Sequence, residues 1–172
     1  MKQQLLAALA VAVLVSACAR NDGLDGVPGG AGSSLDPAAQ GGLGGGQLDP
    51  TSTAYFSQVI GDRIFFAVDQ STLSADALTV LDQQAQWMLS NPGLPVLIEG
   101  HADEQGTREY NIALSARRAA AVRNYLVTKG VPDSRLSTVP FGKERPVEVC
   151  SEERCWSQNR RAVTVVTGAP GA

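Results

Sequence analysis

Histidine is almost missing from this chain: His101 is the only one among 172 residues. With Asp103 as its one close acid, it is too little for a closed metal site, which takes about four ligands. Cysteine is scarce too. Of the three, Cys150 and Cys155 lie close together but lack the Cys-x-x-Cys spacing of a redox pair. Charge of one sign is not in excess. Lysine and arginine total 14 against 17 for aspartate and glutamate, a formal net charge of −3, so the basic footprint of a nucleic-acid binder is absent. The apolar run Leu5 to Val15 is too short to span a bilayer comfortably. The parts of a hydrolytic enzyme are also lacking: no nucleophile beside a base, no carboxylate pair, no zinc ligand set. Ser115 falls mid-helix with no base in the pattern, where it supports Arg118 or caps a carbonyl. An enzyme is therefore not expected.

What is present suits one domain with extensions, since 44% of the residues are hydrophobic. The N-terminus reads as a targeting segment. Lys2 precedes the apolar run, which ends in Leu14-Val-Ser-Ala-Cys18. Small residues ahead of a cysteine resemble the bacterial lipobox, so 1–17 is expected to be a lipoprotein signal peptide and Cys18 the acylated mature N-terminus. The plainer alternative is a secretory signal with an incidental cysteine. Two or more acyl chains on Cys18 would anchor the protein stably; that lipid is the only prosthetic group expected. Ala19 rather than aspartate follows the cysteine, which by resemblance to known sorting rules favours the outer membrane. Residues 18–54 are rich in glycine and poor in aromatics and read as a flexible tether. Such a coil spans on the order of 35 Å on average and roughly 100 Å at full stretch.

The domain is expected over 55–168, with a loose tail over 169–172. Residues 51–61 suggest a short helix packing Tyr55, Phe56, Val59 and Ile60, and Arg63 to Val68 a strand. Ser74 is a plausible N-cap, with Asp76 in the first turn of a helix burying Leu78, Leu81, Ala85, Met88 and Leu89. Asn91-Pro92-Gly93 stops it. Leu94 to Gly100 is apolar on both faces, as in a central strand covered by helices. A second helix runs from Arg108 to Lys129, with Gly130 as its C′ residue. Leu136 to Phe141 is a third strand, 142–158 a long loop carrying both cysteines, and Arg160 to Val166 the last strand. This order predicts an α/β sandwich, βαβαββ, with two main helices on one side of a small mixed sheet.

Within this frame the stretch Glu99 to Ala119 carries two charges that a plain core element would not. Leu114, Arg118, Val122 and Tyr125, with Ala121 beside them, share one face of the second helix. Arg118 therefore points into the packed side or along its edge, where its permanent charge calls for an anion. Asn111 opens the same face, and Asp103 sits in the loop just before the helix. The three can border one small cleft. A carboxylate and a guanidinium held apart suit a zwitterion; equally, Asp103 and Arg118 can simply pair with each other.

The runs Glu-Gly-His-Ala-Asp-Glu-Gln-Gly-Thr, Glu-Tyr-Asn-Ile-Ala-Leu-Ser and Arg-Arg-Ala resemble the peptidoglycan-associated lipoproteins of the Tol–Pal system, within the OmpA C-terminal-like family. The match extends from about Phe65 to Val166. The resemblance implies that Asp103 and Arg118 take the amino and carboxylate groups of meso-diaminopimelate in the peptidoglycan stem peptide, with Asn111 beside them. Gly106, Thr107 and Leu114 belong to the same motif. Val68 and Asp69 flank the groove; the family commonly has Phe-Asp there, and Asp69 is expected to act through its backbone. Implied partners are peptidoglycan, TolB and TolA, with a role in envelope integrity and in constriction at cell division. An OmpA-like wall-binding lipoprotein outside the Tol–Pal system is the alternative. Export favours a Cys150–Cys155 disulfide. His101 is expected to hold the loop backbone by hydrogen bonds. Asn159-Arg160-Arg161 is read first as structural pairing and protection of a sheet edge, and second as a glycan contact.

Overall fold

The computed structural model describes residues 48–168. The signal peptide, Cys18, most of the expected tether and the tail over 169–172 lie outside the described residues. A short helix α1 (Thr53–Tyr55) begins within the stretch assigned to the tether, capped by the Ser52 hydroxyl, and continues as a π-helix, Phe56–Gly61. Then follow β1 (Arg63–Phe65), α2 (Ala75–Ser90), β2 (Val96–His101), α3 (Arg108–Thr128), β3 (Leu136–Gly142), α4 (Glu153–Asn159) and β4 (Arg161–Val166). Among the described residues no helix is long and apolar enough to cross a membrane.

The sheet has the order β1-β4-β2-β3. The pair β2/β3 is parallel, as a crossover through α3 requires, and β4 runs antiparallel to both β1 and β2. Val96, Ile98 and Ala162 turn into one core with Leu81, Met88, Val122 and Leu126. On β2 the intervening Leu97 and Glu99 are only half-buried. The strand is thus covered by helices on one face, not two, because α2 and α3 share that face.

Local signals explain most boundaries. The Ser74 hydroxyl accepts from the Ala77 amide at 3.1 Å and starts α2. Gly130, at φ +94°, lets the Val131 amide return to the Leu126 carbonyl at 3.1 Å and ends α3. Leu89 departs from expectation: it is exposed, and Trp87 is buried instead. The segment before β1 lies along that flank of α2. There Trp87 meets the Phe56 ring at 4.9 Å and donates to the Pro50 carbonyl at 2.7 Å. The first strand also stops early, at Phe65 rather than Val68, because the chain turns over Ala67–Gln70.

The segment 142–158 is not a plain loop, since it contains α4. Cys150 and Cys155 are joined by a disulfide. Asn159 accepts from the amides of Val147 (2.8 Å) and Glu148 (3.2 Å) and donates to the Glu148 carbonyl (2.8 Å), folding the arm back on itself. Arg160 caps α4, so β4 starts one residue later than expected. Replacing both cysteines with serine is expected to cost about 2 kcal/mol by loop entropy. A urea midpoint shifted to match, with unchanged m, is the measurement that checks it.

Candidate functional site

The end of β2 leads into a loop whose every turn is fastened. Thr107 caps α3, accepting from the Tyr110 amide at 3.2 Å. Asn111, buried, donates from Nδ2 to the Gln105 carbonyl at 2.8 Å. Gly106 takes φ +90°, a conformation open to glycine at little cost. Lys143 reaches across and donates to the Gly106 carbonyl at 3.0 Å. Asp103 is thereby fixed: Oδ1 accepts from the Gln105 amide at 3.2 Å. Its Oδ2 accepts from Arg160 Nη1 at 3.3 Å. The residue retains 8% of its exposure, so the carboxylate sits at the rim rather than in the core.

Arg118 lies beneath it, wholly buried in α3. Among the described residues the expected anion is not supplied by an acid. Instead Nε donates to the Gln70 carbonyl (2.8 Å), Nη1 to that of His101 (2.9 Å) and Nη2 to that of Ala67 (3.1 Å). The guanidinium also lies 5.2 Å from the centre of the Phe66 ring. Among the described residues no carboxylate comes within ion-pair distance of it. The direct Asp103–Arg118 pair is therefore not formed; Asp103 pairs with Arg160. Burial pulls Arg118 down to about 10; the Asp103 charge opposes this and the Arg160 charge adds to it.

The turn that receives Arg118 is the one expected to flank the groove. The Gln70 amide donates to the Ala67 carbonyl at 3.2 Å. Asp69 stands at its apex at φ +56°, the only non-glycine residue with positive φ among those described. Asp69 and Val68 are exposed. Leu114 is buried one turn before Arg118 and packs below the site. The structure thus brings Asp103, Asn111, Gly106 and Thr107 together on one loop and helix start. Arg118 ties that loop's base to the Val68–Asp69 turn.

His101 does not hold the backbone through its ring. It is the last residue of β2, buried, and neither ring nitrogen has a hydrogen-bond partner. The Glu99 carboxylate lies 3.4 Å from Nε2, but without hydrogen-bond geometry. The imidazole stacks on Phe141 at 5.4 Å. Burial, followed by the charges of Arg161 and Arg145, lowers it to about 4, so the ring is neutral. Only its carbonyl serves the site, through Arg118.

Arg160 stands beside the candidate site, in contact with Asp103, a meeting that the sequence reading did not foresee. The edge-protection role given to Asn159-Arg160-Arg161 does not hold, because β4 is an inner strand between β1 and β2 and all three residues are buried. Pairing does hold. Arg160 binds Asp103, both oxygens of Glu153, and the Phe66 carbonyl at 3.2 Å. The signal in the sequence was an arginine entering an alternating strand beside a second arginine, each needing an acceptor on its own side.

The model of the OmpA family matches residues 65–161, from the end of β1 through both loops and the α4 arm to the start of β4. The peptidoglycan-associated lipoprotein of Rhizobium meliloti is 58% identical over 128 residues, covering 74% of this chain and 73% of that one. That of Pseudomonas aeruginosa is 41% identical over 155 residues, covering 90% and 92%. The crystal structure of the peptidoglycan-associated lipoprotein from Burkholderia pseudomallei superposes with a TM-score of 0.64 at 38% identity, over 69% of this chain and 99% of that one. The chain belongs to the OmpA family, among the peptidoglycan-associated lipoproteins. Members of this family are structural proteins, and the chain is not an enzyme.

Proposed function

We propose that the chain is an outer-membrane lipoprotein, acylated at Cys18, whose domain binds peptidoglycan without covalent attachment and so ties the outer membrane to the wall. The ligand is the zwitterionic head group of meso-diaminopimelate. It works within the Tol–Pal system, with TolB and TolA as partners, in envelope integrity and in constriction at division. The observation that carries the reading is Arg118, a wholly buried cation whose only close acceptors among the described residues are three neutral carbonyls. A buried charge without an opposite charge is costly, by several kcal/mol. A ligand carboxylate would supply the missing charge, using guanidinium N–H groups left over from the three bonds. The ammonium of the same head group would meet Asp103, whose oxygens each keep a lone pair beyond the bond they already accept. Reaching Arg118 requires the exposed Val68–Asp69 turn to yield, an order of movement common among binding loops. The lipobox and the glycine-rich tether support the anchored end of the reading.

The test is sedimentation with purified sacculi. Asp103→Asn is expected to lower retention about tenfold, the loss of one charged contact, while its melting temperature stays close to the parent's. Retention equal to that of the parent would overturn the site.

A further inference from the structure

The charges of this site pose a problem that the binding reading, on which this inference rests, leaves open. Asp103 is close enough to Arg118 for its charge to act on the guanidinium, and neither group is bound to another opposite charge by α3 or by the 102–107 loop. Two such groups at the edge of a low-dielectric interior attract strongly. An acid and an arginine that closed on each other would leave no gap for a zwitterion.

We propose that Arg160 is a positioning residue that holds Asp103 away from Arg118 and so keeps the ligand gap open. Its guanidinium is 4% exposed and is fixed from three sides. The Phe66 carbonyl accepts from Nε at 3.2 Å. Glu153, on α4, takes Nη1 at 3.2 Å and also Nη2. Asp103 Oδ2 takes the remaining reach of Nη1 at 3.3 Å. Arg160 is thus an arm anchored outside the ligand gap, with one N–H group extended to the acid. Glu153 has a further effect. It offsets the Arg160 charge, so the ammonium that comes to Asp103 does not face an uncompensated cation. The Cys150–Cys155 bond closes the turn that carries Glu153. The 142–158 segment touches the 102–107 loop at further points, among them Trp156 Nε1 on Glu104 at 3.2 Å and Lys143 on the Gly106 carbonyl at 3.0 Å. The α4 arm is therefore the second wall of the site.

A double-mutant cycle tests this, read by calorimetry with a soluble muropeptide carrying meso-diaminopimelate. Arg160→Gln in the parent is expected to weaken binding about tenfold, because Asp103 then closes on Arg118. In an Asp103→Asn background the same change is expected to cost less than about twofold, since no acid remains to misplace. Equal losses in both backgrounds would overturn the proposal and leave Arg160 a merely structural residue. If Asp103→Asn alone binds like the parent, the reading of the site itself fails, a different result from a failure of coupling. Glu153→Gln serves where Arg160→Gln does not fold, since Glu153 is exposed on the arm surface. It is expected to weaken binding about threefold in the parent and clearly less beside Asp103→Asn, where no acid is left to misplace and only the uncompensated Arg160 charge acts on the ammonium. A threefold loss in both backgrounds would sink the proposal equally.

Discussion

Gly100→Ala is expected to melt about 10 °C or more below the parent. Gly100 is the residue of β2 that faces α3. A Cβ there would lie far inside van der Waals contact with the Ser115 carbonyl oxygen, 2.7 Å from the Ser115 carbonyl carbon and 3.3 Å from the Ala119 methyl. Two of these three atoms are helix backbone, which cannot turn aside as a flexible side chain would. The helix is also stitched to the neighbouring strand at the same level. Ser115 Oγ accepts from the Gly142 amide at 3.0 Å while donating to the Ile112 carbonyl at 2.9 Å. Moving α3 outward to admit the methyl breaks this bridge and thins the contact of Ala119 and Val122 with the sheet. Overpacking against backbone, with a buried hydrogen bond lost, costs about 3 kcal/mol or more. Because the same shift lifts Arg118 from its carbonyls, muropeptide binding should fall together with stability. A melt within about 2 °C of the parent would mean that the helix rides farther from β2 than described.

How much of this was legible in the sequence depends on the range of each interaction. The α3 face could be counted because its row, Leu114, Arg118 and Val122, repeats at helical spacing, and all three are buried. The cap at Ser74 is a signal a few residues long, and Gly130 ended α3 as a left-handed residue should. The α4 helix was invisible for the opposite reason. Its seven residues bury only Cys155 and Asn159, too few to show a period, and the disulfide rather than an apolar stripe holds it down. Leu89 was misread because a single helix row says nothing of a second element on its flank, and Trp87 is the residue that meets that element. The site divides along the same line. Asp103, Asn111 and Arg118 fall within one loop and helix and could be grouped by spacing. Arg160 meets Asp103 across 57 residues of chain, and no local pattern encodes that meeting. Nor could spacing show that the acceptors for Arg118 would be backbone carbonyls, since every residue type offers one.

Those carbonyls make Arg118 the site's structural centre as well as its cation, and substitution there should separate the two roles. Arg118→Ala is expected to cost about 3 kcal/mol, because it leaves a cavity and strands the carbonyls of Ala67, Gln70 and His101, each worth about 1 kcal/mol or more when unpaired in the interior. Relief from burying a charge offsets part of this but cannot restore the acceptors. The alanine variant is therefore a poor probe of binding, since a lost turn and a lost ligand contact look alike. Arg118→Lys is the informative change. A lysine keeps the charge, yet its single ammonium cannot span three acceptors spread over two loops as the planar fork does. It is expected to hold the fold with a smaller loss, about 1–2 kcal/mol. The parent melting temperature should rise when a meso-diaminopimelate muropeptide is added, by the linkage between binding and folding, in which excess ligand at 100 times Kd is worth about 2.7 kcal/mol. In Arg118→Lys that ligand-induced rise should nearly vanish while cooperative unfolding persists. If the lysine variant melts like the parent and still shifts with ligand, the three-carbonyl cage is dispensable and the carboxylate is held elsewhere. If it unfolds outright, the cage alone accounts for the buried arginine, and the case for a ligand charge must rest on Asp103.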